Sequence, residues 1–288
     1  MKLVMTLLVR DEEDILQENL DFHLSQGVDF IIVTDNLSND GTPGILEKYQ
    51  RSGYVRIINE SNDDYMQRVW VTKMARLAAT EYGADWVINS DADEFWFPQV
   101  AGETLKNVFA QIPDSAAAVI VGRDNFPIVP TELEDASPFF ERLTWRDTKS
   151  VQSLGLPLLP KVAHRGAANI EVSQGNHSVQ LRGALLDCCT ARLSILHFPI
   201  RSYAQFKNKI QLGGAAYSRN STLKPTVGAT WRALYKSLLD GKLPEEFRRM
   251  NPSAQEFKEQ VTSGRLQHDV RLRDFLRRIK EFTLRRGS

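Results

Sequence analysis

The chain has 288 residues, of which 36 are basic and 36 are acidic, so its formal net charge at pH 7 is zero. This balance gives no electrostatic case for binding nucleic acid, and 42% hydrophobic residues allow a sizeable core. The apolar stretch at residues 1–9 ends at the charged residues 10–14, far short of a membrane span or a secretory signal. The adjacent Cys188 and Cys189 indicate small buried residues in a reducing compartment, so we predict a cytoplasmic protein.

Strands and helices alternate four times before residue 92. The predicted order is strand 3–9, helix 15–26, strand 28–34, helix 43–51, strand 54–58, helix 65–82 and a strand ending at Asp91. Asp11 is predicted to cap the first helix. The alternation indicates a right-handed βαβ series, which gives an α/β fold with a mostly parallel sheet and helices on both faces. Ligands of such sheets bind outside the carboxyl ends of the strands, where Arg10, Asp35 and Asp91 lie.

The rhythm loosens after residue 97. We predict a helix at 102–111, a strand at 116–122, an irregular segment at 123–159, short antiparallel strands at 161–198 that complete the sheet, and helices at 201–212, 230–239 and 270–282. Long irregular segments inside compact domains are usually functional or mobile. The simplest division is one catalytic domain over residues 1–221, followed by a helical C-terminal extension over 222–288.

An apolar strand runs directly into Asp91, Asp93 and Glu94, with aromatic residues behind them. Three acidic groups at the end of a buried strand repel one another and lose hydration unless a cation offsets the cost. Because one residue separates the two aspartates, both can reach a single Mg²⁺ or Mn²⁺, which in proteins binds carboxylates together with substrate phosphates. The motif predicts a metal site for a nucleotide diphosphate, and the alternative is a solvated acidic turn.

Three motifs in this order resemble the family 2-type glycosyltransferases of the GT-A fold: residues 8–14, residues 35–42 and Asp91-Ala92-Asp93-Glu94-Phe95. The similar subgroup carries an Asp-x-Asp-Glu-Phe signature and occurs often in bacterial polysaccharide pathways. The resemblance covers residues 1–100 well and 160–215 loosely. It implies a nucleotide-binding half at 1–100, an acceptor half at 101–221, and inverting transfer of a sugar from a nucleotide-diphosphate sugar to a hydroxyl of a glycan or lipid-linked acceptor.

The resemblance also implies roles for individual positions. Arg10, Glu12 and Asp35 are expected to meet the base and ribose of the nucleotide. Asp91 and Asp93 are expected to bind Mn²⁺ or Mg²⁺ and the diphosphate, and Glu94 is then expected to lie behind the two metal ligands.

A histidine late in the domain supplies a further metal ligand in many GT-A enzymes. His197 follows an apolar strand, and His177 lies in a turn that enters a strand, so both are candidates. His177 has the alternative role of meeting the acceptor or the departing phosphate.

Two further roles stay open between several residues. Lys73 and Arg201 are predicted to neutralise the diphosphate, since cations near a leaving phosphate stabilise it. Inverting transfer also needs a general base. The candidates are Asp124, Glu141 and Asp147, with Glu171 a weaker one.

The C-terminal segment 265–288 has eight basic residues against three acidic ones. A helix here would have an apolar stripe and, opposite it, a basic face. The stripe contains Leu272, Phe275, Leu276, Ile279 and Phe282. The basic face contains Arg271, Arg273, Arg277 and Arg278. Such a helix can lie on an anionic membrane as a peripheral contact at the inner membrane face. It can also dock its apolar stripe on its own domain, and we favour this second interpretation.

Two other functions compete with glycosyl transfer. A sugar-phosphate nucleotidyltransferase shares the predicted fold and metal ligands, but its glycine-rich phosphate loop is missing after the first strand. A catalytically silent nucleotide-binding protein is the other alternative, and the intact Asp91 and Asp93 count against it.

Overall fold

The computed structural model describes residues 1–64, 66–130, 137–151, 157–220 and 226–287, with side chains as far as residue 281. The described chain forms two compact units. Unit 1 contains Met1–Asn62, Met66–Arg123 and Leu159–Leu196, and unit 2 contains the described residues of 63–65, 124–158 and 197–288. The division into a catalytic domain at 1–221 and an extension at 222–288 stays a prediction.

The core of unit 1 is one seven-stranded sheet. Its strands are β1 (Leu3–Val9), β2 (Phe30–Asn36), β3 (Val55–Glu60), β4 (Trp86–Asp91), β6 (Ala118–Val121), β9 (Lys161–Arg165) and β13 (Cys188–Thr190), in the order β13-β6-β9-β4-β1-β2-β3. Strands β4, β1, β2 and β3 are parallel, while β9 runs antiparallel to its neighbours β4 and β6. Strands β1, β2 and β4 are buried along almost their whole length because both faces of the sheet are covered there, whereas β3 at the edge is partly exposed.

Helices cover both faces of this sheet. They are α1 (Leu16–Ser25), α2 (Thr42–Arg51), α3 (Gln67–Thr80) and α4 (Leu105–Ala110). Helix α3 places Met74 and Ala78 in one buried cluster with Val4 and Val87 of the sheet. Neighbouring residues of a strand point to opposite faces, and Trp86 accordingly packs against Phe109 of α4, with 5.3 Å between the ring centroids.

Five further strands of unit 1, among its described residues, lie outside the seven-stranded sheet. Strand β5 (Glu94–Pro98) pairs with β14 (Leu193–His197), whose residues 193–196 belong to this unit. A separate three-stranded sheet contains β10 (Ile170–Val172), β11 (Val179–Leu181) and β12 (Ala184–Leu185).

Unit 2 is mainly helical. Its elements are β7 (Arg123–Asn125), α5 (Phe139–Arg142), β8 (Trp145–Asp147), α6 (Tyr203–Lys209), a π-helical turn at Ile210–Gly214, α7 (Ala215–Arg219), α8 (Ala229–Leu239), α9 (Leu243–Met250), α10 (Ala254–Thr262), β15 (Leu266–His268) and α11 (Arg271–Gly287). Strands β15 and β8 pair antiparallel. Of the residues that the structure describes, none lies in a helix long and apolar enough to cross a membrane.

The last helix is attached to unit 2 by its apolar stripe. Leu272 and Leu276 of α11 are 3% and 0% exposed, and the ammonium of Lys280 lies 4.5 Å from the ring centroid of Phe140. This favours docking over a free membrane-binding face for residues 271–281. The side chain of Phe282, which the stripe was predicted to include, lies outside the described residues.

The predicted α/β architecture with a mostly parallel sheet and a helical C-terminal part is confirmed, and it agrees with the GT-A fold that the resemblance implies. Three details were wrong. Helix α1 has Ile15 at its N-cap, with no side-chain cap, because the Asp11 carboxylate accepts a hydrogen bond from the backbone N–H of Asn39 instead. The strands of 161–198 complete the sheet only through β9 and β13, and β13 runs parallel to β6. Cys188 is exposed, since β13 is the last strand of the sheet.

Candidate active site

The carboxyl ends of the parallel strands bring the predicted motifs to one edge of the sheet in unit 1. Leu8 lies opposite Asp91, and Val9 lies opposite Asp35. Strand β4 ends at Asp91 and β5 begins at Glu94, so residues 91–94 form a tight turn between two strands. We call residues 91–94 the acidic turn. Its position matches the place where α/β sheets bind ligands.

Asn19 of α1 fixes the backbone of the acidic turn. Its amide Nδ2 donates to the carbonyl oxygens of Ala92 and Glu94 at 2.9 and 2.8 Å. His23, one turn further along α1, accepts from the backbone N–H of Trp96 through Nε2 at 3.3 Å and donates from Nδ1 to the Asn19 carbonyl at 2.8 Å. Burial lowers the pKa of His23 to about 4, so this support is a neutral imidazole at pH 7.

The buried Lys161 and the partly buried Arg123 compensate the charge of the acidic turn. The ammonium of Lys161, at the start of β9, lies 2.5 Å from Oδ2 of Asp91 and 3.2 Å from Oε1 of Glu94. The guanidinium of Arg123 lies 3.1 Å from the same Glu94 oxygen. The side chains of Lys161 and Glu94 are 1% and 0% exposed, so the pairing is needed to offset the loss of hydration. Burial raises the pKa of Glu94, and Lys161 opposes that increase.

A chain of amides holds the second oxygen of Asp91. Asn176 donates from Nδ2 to Oδ1 of Asp91 at 3.3 Å, and Gln67 at the start of α3 donates to Oδ1 of Asn176 at 2.7 Å. The backbone N–H of Gly175 donates to Oε1 of Gln67 at 2.9 Å. Gln67 and Asn176 are both buried. The orientation of the Asp91 carboxylate is therefore set from two sides.

His177 lies beside this cluster. Its Nδ1 donates to the carbonyl oxygen of Pro160 at 2.7 Å, which leaves the lone pair on Nε2. Burial, together with the Lys161 charge, lowers the pKa of His177 to about 4. Gly175 has a φ of 75°, and a Cβ at this position would lie 2.5 Å from Nε2 of His177. The turn therefore requires glycine both for its backbone and for the position of the ring.

The loop after β1 and the loop after β2 are joined to each other. The backbone N–H of Asp11 donates to Oγ of Ser38 at 3.0 Å, and that of Glu12 donates to Oγ1 of Thr42 at 2.9 Å. Asp35 is buried and accepts from the backbone N–H of Ser38 at 3.2 Å. Glu12 and Asp35 thus lie in two loops that are joined by hydrogen bonds at the carboxyl edge of the sheet, and Arg10 directly precedes the first of these bonds at Asp11.

Two of the general-base candidates form ion pairs, Glu171 of unit 1 with Arg68 at 2.8 Å and Asp147 of unit 2 with Arg265 at 2.9 Å. Lys73 of unit 1 is exposed on α3. The buried face of this helix contains Trp70, Val71 and Met74. The contact of Lys73 with a diphosphate stays a prediction, as do the contacts of Arg10, Glu12 and Asp35 with a nucleotide.

Unit 2 contains the remaining predicted residues. His197 is buried, and its Nδ1 lies 2.7 Å from Oδ1 of Asn125, which places the ring proton on Nδ1 and the lone pair on Nε2. Asp124 pairs with Arg146 at 3.1 Å. Both oxygens of Glu141 accept from Arg277, and Arg201 is fully buried and donates to the carbonyl of Phe198 at 3.1 Å.

Sequence reasoning missed Lys161, Arg123, Asn176 and Gln67. Lys161 carries a weak signal, because it is the one basic residue directly before the apolar run Val162-Ala163 in a predicted strand. Asn176 lies directly before His177 in a turn, where asparagine is common and carries no signal of its own. Arg123 and Gln67 have no local signal, since their roles depend on partners distant in sequence.

The donor chemistry of the acidic turn suits a hard divalent cation. Asp91 and Asp93 offer carboxylate oxygens, which are the ligands that Mg²⁺ and Mn²⁺ prefer. The Asp91 side chain is 40% exposed, and each of its oxygens has a second lone pair beside the hydrogen bond that it accepts. Asp93 and Glu94 offer carboxylate oxygens within 4.8 Å of each other, so these two residues can share a cation, although Glu94 is also engaged by Lys161 and Arg123. The metal role of Asp91 stays a prediction.

Residues 5–125, which contain the acidic turn and its Arg123 partner, match the family model of Glycosyltransferase family 92. This match supports a glycosyltransferase. It covers less than half of the 288 residues, and it confirms neither the family 2-type assignment nor the Asp-x-Asp-Glu-Phe subgroup. No curated protein matches the chain.

Solved structures with a distant similarity include S. aureus TarS 1-349 in complex with UDP-GlcNAc, at 16% identity and a TM-score of 0.43 over 82% of this chain and 72% of that chain. Glucosyl-3-phosphoglycerate synthase from Mycobacterium tuberculosis, in complex with Mn²⁺, UDP and glucosyl-3-phosphoglycerate, is 18% identical, with a TM-score of 0.33 over 57% of this chain and 56% of that chain.

Proposed function

We propose that this chain is a metal-dependent, inverting glycosyltransferase that transfers a sugar from a nucleotide-diphosphate sugar to a hydroxyl acceptor. The observation that carries the proposal is the acidic turn, which lies at the carboxyl edge of the parallel sheet inside the segment that matches a glycosyltransferase family. The Asp-x-Asp-Glu-Phe subgroup of the family 2-type enzymes and a role in bacterial glycan or polysaccharide biosynthesis belong to the same proposal.

The roles in unit 1 follow from charge and position. Asp91 and Asp93 hold Mn²⁺ or Mg²⁺, and the bound cation supplies positive charge that stabilises the diphosphate as it leaves. Arg10, Glu12 and Asp35 bind the base and ribose at the neighbouring strand ends. His177 is a neutral imidazole at pH 7 whose Nδ1 donates to Pro160, so its Nε2 accepts a hydrogen bond from a hydroxyl of the acceptor. The alternative, donation to the departing phosphate, would need the other tautomer of the ring.

Unit 2 is proposed to supply the remaining groups. His197 is the histidine ligand of the metal, because its Nδ1 donates to Asn125 and a hydrogen bond of this kind orients the ring of a metal-binding histidine. Asp124 and Glu141 are the candidates for the general base. Lys73 of unit 1 and Arg201 of unit 2 neutralise the diphosphate.

Ligand binding tests the donor and metal assignments together. The unfolding temperature is measured with uridine, guanosine, cytidine and thymidine diphosphates, each with and without MnCl₂. We expect one nucleotide to raise it only with Mn²⁺, and Asp93→Asn to abolish the rise without lowering the unfolding temperature of the free protein. Asp114→Asn is the matched control, since this side chain is fully exposed. A nucleotide response that is the same in Asp93→Asn and wild type contradicts the metal assignment.

Activity tests transfer, inversion and the base. Nucleoside diphosphate release is measured from the sugar nucleotides of the responding base, and the anomeric configuration of the product is read by NMR. Asp124→Asn and Glu141→Gln separate the two base candidates, because only loss of the base lowers turnover while nucleotide binding persists. A product with retained configuration contradicts the inverting mechanism.

The acceptor is proposed to be a glycan or a lipid-linked molecule at the inner membrane face of the cytoplasm. Peripheral contact through residues 265–288 would use the basic residues of α11, because Leu272 and Leu276 are buried. Sedimentation with vesicles of anionic and of zwitterionic lipid tests this contact. Binding to neither vesicle contradicts it.

A further inference from the structure

Lys161 is a buried cation at the acidic turn that the proposed chemistry does not use. Its side chain is 1% exposed, and its ammonium bridges Asp91 at 2.5 Å and Glu94 at 3.2 Å. A lysine buried to this extent loses nearly all its hydration, so the two carboxylates are what stabilises its charge. The bridge spans two ends of the turn, one at the end of β4 and the other at the start of β5.

The charges of the cluster nearly cancel. Asp91, Asp93 and Glu94 contribute three carboxylates, while Lys161 and Arg123 contribute two cations, and the electrostatic influence of all of them reaches Glu94. One net negative charge remains for a divalent cation to bind. Without Lys161 the turn would carry two.

Lys161 also contacts a carboxylate oxygen of Asp91, the residue that is proposed to bind the metal. The ammonium is hydrogen-bonded to Oδ2 of Asp91, and Asn176 is hydrogen-bonded to Oδ1. A divalent cation that binds Asp91 through Oδ2 shares that oxygen with a buried ammonium, and one that binds through Oδ1 lies on the same carboxylate. In both cases two like charges lie close together and repel each other in a partly desolvated site.

We propose that Lys161 is a positioning residue that acts as an internal counter-ion: it holds Asp91 and Glu94 in place and lowers the affinity of the acidic turn for a free divalent cation. The cation then binds well only when a diphosphate supplies further oxygen ligands. The inference rests on the proposed function, because it takes Asp91 and Asp93 as the metal ligands.

Titration with Mn²⁺ alone, followed by electron paramagnetic resonance, measures this directly in the full chain without nucleotide. We expect Lys161→Met to bind Mn²⁺ about tenfold more tightly than wild type, because it removes a unit charge beside the ligands. Lys106→Met, which removes a lysine paired with Asp29 outside the cluster, is the matched control and leaves the affinity unchanged. A purely structural role for Lys161 predicts equal or weaker binding, and either result overturns the proposal.

A charge-balanced pair of variants covers the case in which Lys161→Met does not fold. Glu94→Gln removes a negative charge, and we expect Mn²⁺ binding about tenfold weaker than wild type. The double variant Glu94→Gln/Lys161→Met restores the net charge of the wild-type cluster, and we expect its affinity to lie within about threefold of wild type. Far-ultraviolet circular dichroism confirms that each variant is folded. Affinities that do not follow net charge overturn the proposal.

The same titration separates the two proposals. If wild-type protein binds Mn²⁺ and none of these variants changes the affinity, the role of Lys161 is overturned and the proposed function stands. If wild-type protein binds no Mn²⁺, either alone or with any nucleoside diphosphate, both the metal-dependent function and the role of Lys161 are overturned.

Discussion

The guanidinium of Arg123 lies 3.1 Å from the carboxylate of Glu94, and their side chains are 9% and 0% exposed. Arg123 also donates from Nε to the carbonyl of Leu159 at 2.8 Å, so it joins the acidic turn to the backbone just before β9. A carboxylate this deeply buried depends on its partners, because it has no water to replace them.

Removing Arg123 is expected to destabilise unit 1. Arg123→Met leaves Glu94 with Lys161 as its remaining cation among the contacts described, and we expect a loss of about 3 kcal/mol in the free energy of unfolding. Urea unfolding of the variant and of wild type measures it. Arg51→Met is the control, since Arg51 and Glu47 form an exposed pair on α2 that contributes about 0.5 kcal/mol. Equal losses in the two variants would contradict the burial argument.

Asn19 is expected to matter more for the site than any surface asparagine. Asn19→Ala leaves two buried carbonyl groups of the acidic turn without their donor, and we expect a loss of about 2 kcal/mol of stability. Because the turn then loses its fixed geometry, nucleotide binding with Mn²⁺ should weaken as well. The exposed Asn107→Ala on α4 is the control for both measurements. A variant that keeps wild-type stability and affinity would show that the turn is held by other contacts.

Stability is expected to fall in mild acid because of buried histidines. Burial lowers the pKa values of His23, His164 and His177 to about 4, while the unfolded chain takes up these protons near pH 6.5. The unfolded state therefore binds more protons between pH 6.5 and 4, so the free energy of unfolding decreases as the pH falls through that window and is insensitive to these groups above it.

A single variant tests this origin of the acid sensitivity. His164 is fully buried on β9, and its Nε2 has no hydrogen-bond partner among the described residues. His164→Leu should flatten the decrease in unfolding free energy between pH 6.5 and 4, as measured by urea titration at several pH values. Leu185→Ala, at an exposed position without a titratable group, is the control and should leave the slope unchanged. Parallel pH profiles for wild type and His164→Leu would contradict the assignment.

The docking of α11 predicts an asymmetry between two leucines of unit 2. Leu276→Ala removes a fully buried side chain, and we expect a loss of about 3 kcal/mol. Leu239→Ala, at a position 69% exposed on α8, should have almost no effect. Thermal unfolding and limited proteolysis of the C-terminal segment measure both. If Leu276→Ala leaves stability intact and instead reduces vesicle binding, the apolar stripe serves a membrane rather than unit 2.

The sequence by itself determined the regular parts of unit 1. Strand β1 was predicted at its observed bounds, because a continuous apolar run between charged residues is a local signal that burial on both faces requires. The same alternation of strands and helices correctly placed Arg10, Asp35 and Asp91 at the carboxyl edge of the sheet, since parallel strands end on the same side. The position of the acidic turn at the carboxyl edge of the sheet was thus predicted from the sequence alone.

Only the tertiary structure decided what surrounds that motif. Lys161 and Asn176 are 70 and 85 residues from Asp91 along the chain, and no periodicity or spacing connects residues so far apart. Asp11 was predicted from its local sequence to cap α1. In the folded chain its carboxylate instead accepts a hydrogen bond from the backbone N–H of Asn39, with 2.7 Å between the nitrogen and Oδ1. Local patterns record which residues are buried, whereas the pairing of buried charges depends on which strands become neighbours in the sheet.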